Sequence, residues 1–121
     1  MERQVRDPAT GDARLLRRLI RNLLENSARY GGSTPTEVSL HKVEPSSIRL
    51  EVADRGPGIP ELEREKIFDP FYRLPNASES AGGVGLGLSL VKQIAIKHGG
   101  TVRCLPREGG GSLFAVMLPI G

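Results

Sequence analysis

Gly82-Gly83-Val84-Gly85-Leu86-Gly87-Leu88-Ser89-Leu90-Val91 is a glycine-rich loop that runs straight into an apolar helix. Gly83, Gly85 and Gly87 fall at every second position, and residues without a Cβ let backbone N–H groups turn toward an anion and approach it closely. Leu86, Leu90, Val91 and Ile94 then recur at helical spacing. An anion held by this loop would meet a helix N-terminus, where free N–H groups and the macrodipole favour phosphate. A glycine run fits a plain flexible connection as well as a phosphate cradle. The surrounding chain separates the two.

Immediately upstream, Leu74 to Gly83 is small and polar, and Phe68-Asp69-Pro70-Phe71-Tyr72-Arg73 puts three aromatics into five residues of a chain that is 4% aromatic. The pair fits an ordinary loop or a lid hinged on an aromatic anchor. Glu61 to Ile67 is expected as a short charged helix. Before it, Asp54-Arg55-Gly56-Pro57-Gly58-Ile59-Pro60 ends a strand. A sharp strand-to-helix turn accounts for the glycines and prolines but not for an aspartate at the strand end. A buried carboxylate is costly unless hydrogen-bonded. The exocyclic amine of adenine is a suitable donor, and guanine presents a carbonyl oxygen there and would be repelled. Asp54 is thereby a candidate base-binding residue, with Gly56 and Gly58 allowing close approach.

Ile48, Leu50 and Val52 alternate with Arg49 and Glu51, a half-buried strand. Val38, Leu40 and Val43 give a less regular strand, and the two read as a hairpin. His41 in the first of them is a surface residue. From Ala13 to Tyr30, Leu15, Leu16, Leu19, Ile20, Leu23 and Leu24 form a stripe of period about 3.6, with Asp12 as N-cap and Gly31-Gly32 as the stop. Asn22 and Asn26 lie four apart on this helix and share a face. Two asparagines fit a solvated face, but asparagine is a mediocre helix former, and its amide oxygen is a hard neutral ligand suited to Mg²⁺. Glu2 to Arg6 is expected as a short strand.

Downstream, the glycine-led helix ends at His98 before Gly99-Gly100, and His98 suits the negative helix end. Thr101 to Leu105 and Ser112 to Pro119 are strands. The second is apolar on both faces, so it is expected to be central. Cys104, the one cysteine, excludes an internal disulfide framework, and a packing role is expected for it. A net charge of +3 and few aromatics do not suit a nucleic-acid binder. Arg14, Arg17, Arg18 and Arg21 read as a solvated helix face, with a nucleotide or acidic-partner surface as the alternative. No apolar run approaches the ~20 residues of a membrane span, and no leader pattern follows Met1. No repeat or linker divides the chain, so residues 1–121 are expected to form one domain.

With these segments in place, the pattern resembles the catalytic, ATP-binding domain of sensor histidine kinases, over about Gly11 to Pro119. Asn22 to Tyr30 is similar to the family's asparagine box, and Asp54 to Ile59 to its first glycine box. Ile67 to Arg73 resembles the phenylalanine box, Gly83 to Leu88 the second glycine box, and Gly109 to Phe114 the last, with Ser112 where threonine is common. The resemblance implies a two-layer α/β sandwich, a mixed sheet of about five strands against three helices, with a mobile ATP lid. It implies that Asn26 holds Mg²⁺, that Asn22 supports the phosphates, and that Arg73 reaches the γ-phosphate or the partner domain, making these three the catalytic set. Arg29 stands where lysine is usual and would contact phosphate; Tyr30 would flank the nucleotide. Asp54 with Gly56, Gly58 and Ile59 would receive the adenine. Gly83, Gly85, Leu86, Gly87 and Leu88 would line the phosphates, with Phe71 and Ser112 completing the ATP contacts.

The gyrase-type, mismatch-repair and chaperone ATPases of the wider superfamily resemble one another in a glutamate base where this chain has Asn22. A neutral amide cannot take a proton from water, so poor intrinsic hydrolysis is expected. Glu25 points about 100° away from Asn26. Neither His41 nor His98 sits in an acceptor-like context. The implied activity is phosphoryl transfer to a histidine on a separate dimerisation domain of the same kinase, with a response regulator engaged indirectly. The expected location is cytoplasmic, without nucleic acid or direct membrane contact. The alternatives are a nucleotide-binding module without phosphotransfer and an anti-sigma-type serine kinase.

Overall fold

The computed structural model describes residues 13–30, 35–70 and 87–119, with Tyr30 described in its backbone only. Helix α1 spans Ala13–Tyr30 and α2 Gly87–Lys97. The strands are β1 (Glu37–Val43), β2 (Ser47–Ala53), β3 (Thr101–Pro106) and β4 (Ser112–Pro119). Asp12, Gly31, Gly32, the expected strand Glu2–Arg6 and the expected lid lie outside the described residues.

The four strands form one sheet in the order β1-β2-β4-β3, and every pair is antiparallel. Of the expected mixed sheet of about five strands, the described residues hold four, all antiparallel, and the expected strand Glu2–Arg6 lies outside them: antiparallel hairpins account for β1–β2 and β3–β4, and β2 and β4 pair antiparallel between them. β4 is central, as its two apolar faces require. The helices cover one sheet face, which carries Leu50, Val52, Cys104, Phe114, Val116 and Leu118. The register sets Val52, Phe114 and Cys104 in one row and Leu50, Val116 and Val102 in the next. Helix α1 presents Leu19 and Leu23 to this core, and α2 presents Val91, Ile94 and Ala95. Arg14, Arg17, Arg18 and Arg21 are exposed on the far side of α1.

The charged stretch expected as one helix is instead two 3-10 turns, Glu61–Glu63 and Lys66–Phe68. The nine residues between Pro60 and Pro70 are too few to repay helix nucleation, and the buried pair Ile67 and Phe68 is adjacent rather than spaced along a helical face. Phe68 meets Phe114 edge-on, ring centroids 6.4 Å apart, which pins the turns to the central strand.

Helix α2 stops where the glycines place it. Gly99 has φ +79°, its N–H donates to Ile96 O at 2.9 Å, and Gly100 N–H donates to Ala95 O at 2.8 Å. A Cβ on Gly100 would lie 2.0 Å from Met117 O, so the helix end lies directly on the sheet. Buried His98 joins this cap through Nδ1, 2.8 Å from Ile94 O. On the open sheet face, Arg107 after β3 reaches across to pair with Glu37 of β1. His41 is exposed there, 3.6 Å from Glu51. Cys104 is buried, and burial pushes its thiol up to about 11, against smaller opposing influence from Arg64. That fits its packing role. Among the described residues, no helix is long and apolar enough to cross a membrane.

Candidate functional site

Asp54 is the first residue beyond β2 and is only 4% exposed. Its place is set by the β2–β4 register: its N–H donates to Ser112 O at 2.9 Å, extending the ladder by one bond past Ala53 and Leu113. The carboxylate then collects donors from three parts of the chain. Oδ1 accepts from Gly56 N–H at 3.0 Å and Ser112 N–H at 3.3 Å. Oδ2 accepts from the Ser27 hydroxyl of α1 at 3.3 Å. These bonds offset the cost of burying the carboxylate.

Glycine makes this junction possible. Gly111 has φ +106°, and a Cβ there would fall 1.9 Å from Asp54 O and 2.8 Å from Arg55 Cα. The loop before β4 therefore lies against the strand end, where any side chain would push it off. Gly58, with φ +80°, faces Gly111 O across the same contact. Half-buried Ile59 follows, its carbonyl accepting from Arg64 Nε at 3.0 Å.

Along α1, Asn22 and Ser27 connect this corner to the start of α2. Asn22 Nδ2 donates to Gly87 O at 3.3 Å, where the loop enters α2. Ser27, about 7.5 Å further along the helix, touches Asp54. Asn26 lies between the two ties, half-buried, without a hydrogen-bond partner among the described residues. Asp54, Asn22, Asn26, Gly87 and Ser112 are thus brought to one edge of the molecule. Gly56 and Leu88 are half-buried beside them, Gly87 and Arg29 exposed. Phe71, Arg73, Gly83, Gly85 and Leu86 lie outside the described residues, as does the side chain of Tyr30.

Chemically, the corner offers a fixed acceptor at Asp54 and, at Asn26, an amide unpaired among the described residues. Among the described residues there is no cluster of three or more His, Cys, Asp or Glu that would hold a metal. The amide oxygen of Asn26 is a hard donor of the kind that suits Mg²⁺. Two contributors escaped the sequence reading. Ser27 continues the buried Leu19 and Leu23 row at four-residue spacing, and a hydroxyl in a core row signals a buried partner. Gly111 sits in a run of three glycines whose target, Asp54, is far off in sequence.

Residues 11–121 match the family described as histidine kinase-, DNA gyrase B-, and HSP90-like ATPase. The signal transduction histidine-protein kinase/phosphatase MprB of Mycobacterium sp. (strain KMS) is 44% identical over 90% of this chain and 22% of its own length. The sensor protein RstB of Escherichia coli (strain K12) is 46% identical over 90% of this chain and 25% of its own length. The chain therefore spans about a quarter or less of these relatives. Among solved structures, a mycobacterial sensor histidine kinase MprB superposes with a TM-score of 0.78 at 36% identity, covering 91% of this chain and 73% of that one. Full-length ShkA in complex with AMPPNP superposes with a TM-score of 0.77 at 26% identity, over 88% of this chain and 22% of that one.

Proposed function

The chain belongs to the histidine kinase-, DNA gyrase B- and HSP90-like ATPase family, and we propose that residues 1–121 act as the catalytic domain of a sensor histidine kinase. The domain binds Mg-ATP and donates the γ-phosphoryl group to a histidine on a separate dimerisation domain of the same kinase. The bond from the γ-phosphorus to its bridging oxygen breaks, a phosphorus–nitrogen bond forms on the acceptor imidazole, and ADP leaves. A response regulator then takes the signal onward, with the catalytic domain in the cytoplasm, where ATP is available.

The observation that carries this reading is the joining of Asp54 to α1 through Ser27, and of α1 to the glycine-loop exit through Asn22. A base acceptor and a phosphate-binding helix start are thereby set along one helix edge. Asp54 takes the adenine amine beside Gly56, Gly58 and Ile59. Gly83, Gly85, Leu86, Gly87 and Leu88 serve the phosphates, with Asn22 bracing the loop exit. Arg29, Tyr30, Phe71 and Ser112 complete the nucleotide contacts, and Arg73 reaches the γ-phosphate or the acceptor domain. Asn26 fits Mg²⁺, since its half-buried amide has no hydrogen-bond partner among the described residues. The ion would neutralise phosphate charge during transfer.

Asn22 and Asn26 are amides and cannot serve as a base for water. Slow hydrolysis by the isolated chain follows. Calorimetric titration with ATP, ADP and GTP, with and without Mg²⁺, tests the proposal. ATP and ADP should bind, Mg²⁺ should strengthen ATP, and GTP should bind far more weakly. Absence of binding, equal binding of GTP, or rapid hydrolysis without a partner would each refute it.

A further inference from the structure

Ser27 holds a position that the core would normally fill with a hydrocarbon. It is 1% exposed, in the same row of α1 as Leu19 and Leu23. A hydroxyl there is costly unless bonded, and serine gains nothing as a helix former. Its bond goes to Asp54 Oδ2, 3.3 Å away on another element.

The two carboxylate oxygens of Asp54 are not equivalent. Oδ1 accepts two backbone N–H groups, from Gly56 and Ser112, which occupy both of its lone-pair directions. Oδ2 accepts Ser27 alone among the described residues, which leaves one direction open. Two bonds to a single oxygen leave the carboxylate plane free to rock; the third, from α1, fixes it. The serine hydrogen is committed to Oδ2, so Ser27 presents only lone pairs to anything else nearby. The floor of the site is therefore acceptor-only. An amine meets a matched partner there, and a carbonyl oxygen meets no donor.

We propose that Ser27 is a positioning and specificity residue: it aims the open lone pair of Asp54 Oδ2 at the nucleobase amine and withholds a donor from a base carrying a carbonyl at that position. The proposal deepens the nucleotide reading above and rests on it.

The test compares ATP with a purine nucleoside triphosphate that carries hydrogen in place of the 6-amine. Both are titrated calorimetrically into the wild-type chain, Ser27→Ala and Ser27→Cys, with circular dichroism confirming the fold. Wild type should prefer ATP. In Ser27→Ala the affinity for ATP should fall roughly tenfold while the des-amino compound changes less than about twofold, since only the amine contact depends on the aimed oxygen. Ser27→Cys, similar in shape but a weak donor, should lie between. A purely structural role would weaken both ligands equally and leave the preference unchanged, and that result overturns the proposal. So does unfolding of both variants, which would make Ser27 a residue of the fold alone. A wild-type chain that binds neither ligand removes the nucleotide reading itself. A wild-type preference that survives in both variants removes only the role of Ser27.

Discussion

Gly111→Ala probes the contact that closes the Asp54 corner. The added Cβ would lie 1.9 Å from Asp54 O and 2.8 Å from both Asp54 C and Arg55 Cα, whereas ordinary contact starts at 3.4 Å. These are backbone atoms, so no rotamer change relieves the overlap. The loop before β4 or the end of β2 must move by more than an ångström, against the 2.9 Å bond from Asp54 N–H to Ser112 O. Alanine at φ +106° adds backbone strain of about 1–3 kcal/mol, and overpacking adds about as much again. The expected loss is about 2–6 kcal/mol, a large share of the ~5–15 kcal/mol that a domain possesses. Gly110→Ala is the matched control. Its φ is +109° and nothing lies within 4 Å of its Cβ, so it carries the conformational strain alone, about 1–3 kcal/mol. Urea unfolding reads the difference. With a slope near 2 kcal/mol/M, Gly111→Ala should lower the midpoint by roughly 2 M, and Gly110→Ala by about half as much or less. Equal midpoints for the two variants would refute the close approach as the reason for Gly111.

Three other outcomes are expected. Gly87→Ala has an open Cβ position in a helical residue, so stability should rise by roughly 0.5 kcal/mol. ATP affinity should fall in the same variant, because the methyl obstructs phosphate; urea melts and calorimetry separate the effects. Asp54→Asn replaces an acceptor-only floor with an amide that can donate, so ATP should weaken tenfold or more while the ratio of ATP to GTP affinity collapses in competition titrations. Cys104 titrates near 11 in the folded chain against an ordinary value near 9, chiefly through burial. The folded state therefore holds its proton where the unfolded chain has lost it. Stability should fall between pH 9 and 11, by up to about 3 kcal/mol, and alkylation of the native thiol at pH 8 should be far slower than in urea. A flat stability profile over that range would contradict the burial.

Local periodicity made most of the secondary structure readable. The 3.6-residue stripe of α1, the alternation of Ile48, Leu50 and Val52, and the two-sided apolarity of β4 each follow from burial on a repeating backbone. The stretch from Glu61 to Ile67 misled because helical composition says nothing about whether a segment between two prolines can bury a face; Leu62 remains 83% exposed. The corner proposed to bind the base was legible at Asp54, where an acid beside glycines is locally unexpected. It was not legible at Ser27 or Gly111, because their contacts join elements brought together only by the β2–β4 pairing and the seating of α1. The place of Ser27 in the Leu19 and Leu23 row announces a buried partner without naming it, and a glycine in a run of three announces none.

The acceptor at Asp54 is a three-way joint, tied to a helix, to its own turn and to a neighbouring strand. An inhibitor that presents an amine to it engages atoms that cannot retreat without loosening the protein's frame. Variants that evade such a compound by altering this corner should therefore give up some stability along with activity, and escape with full activity should arise elsewhere on the site.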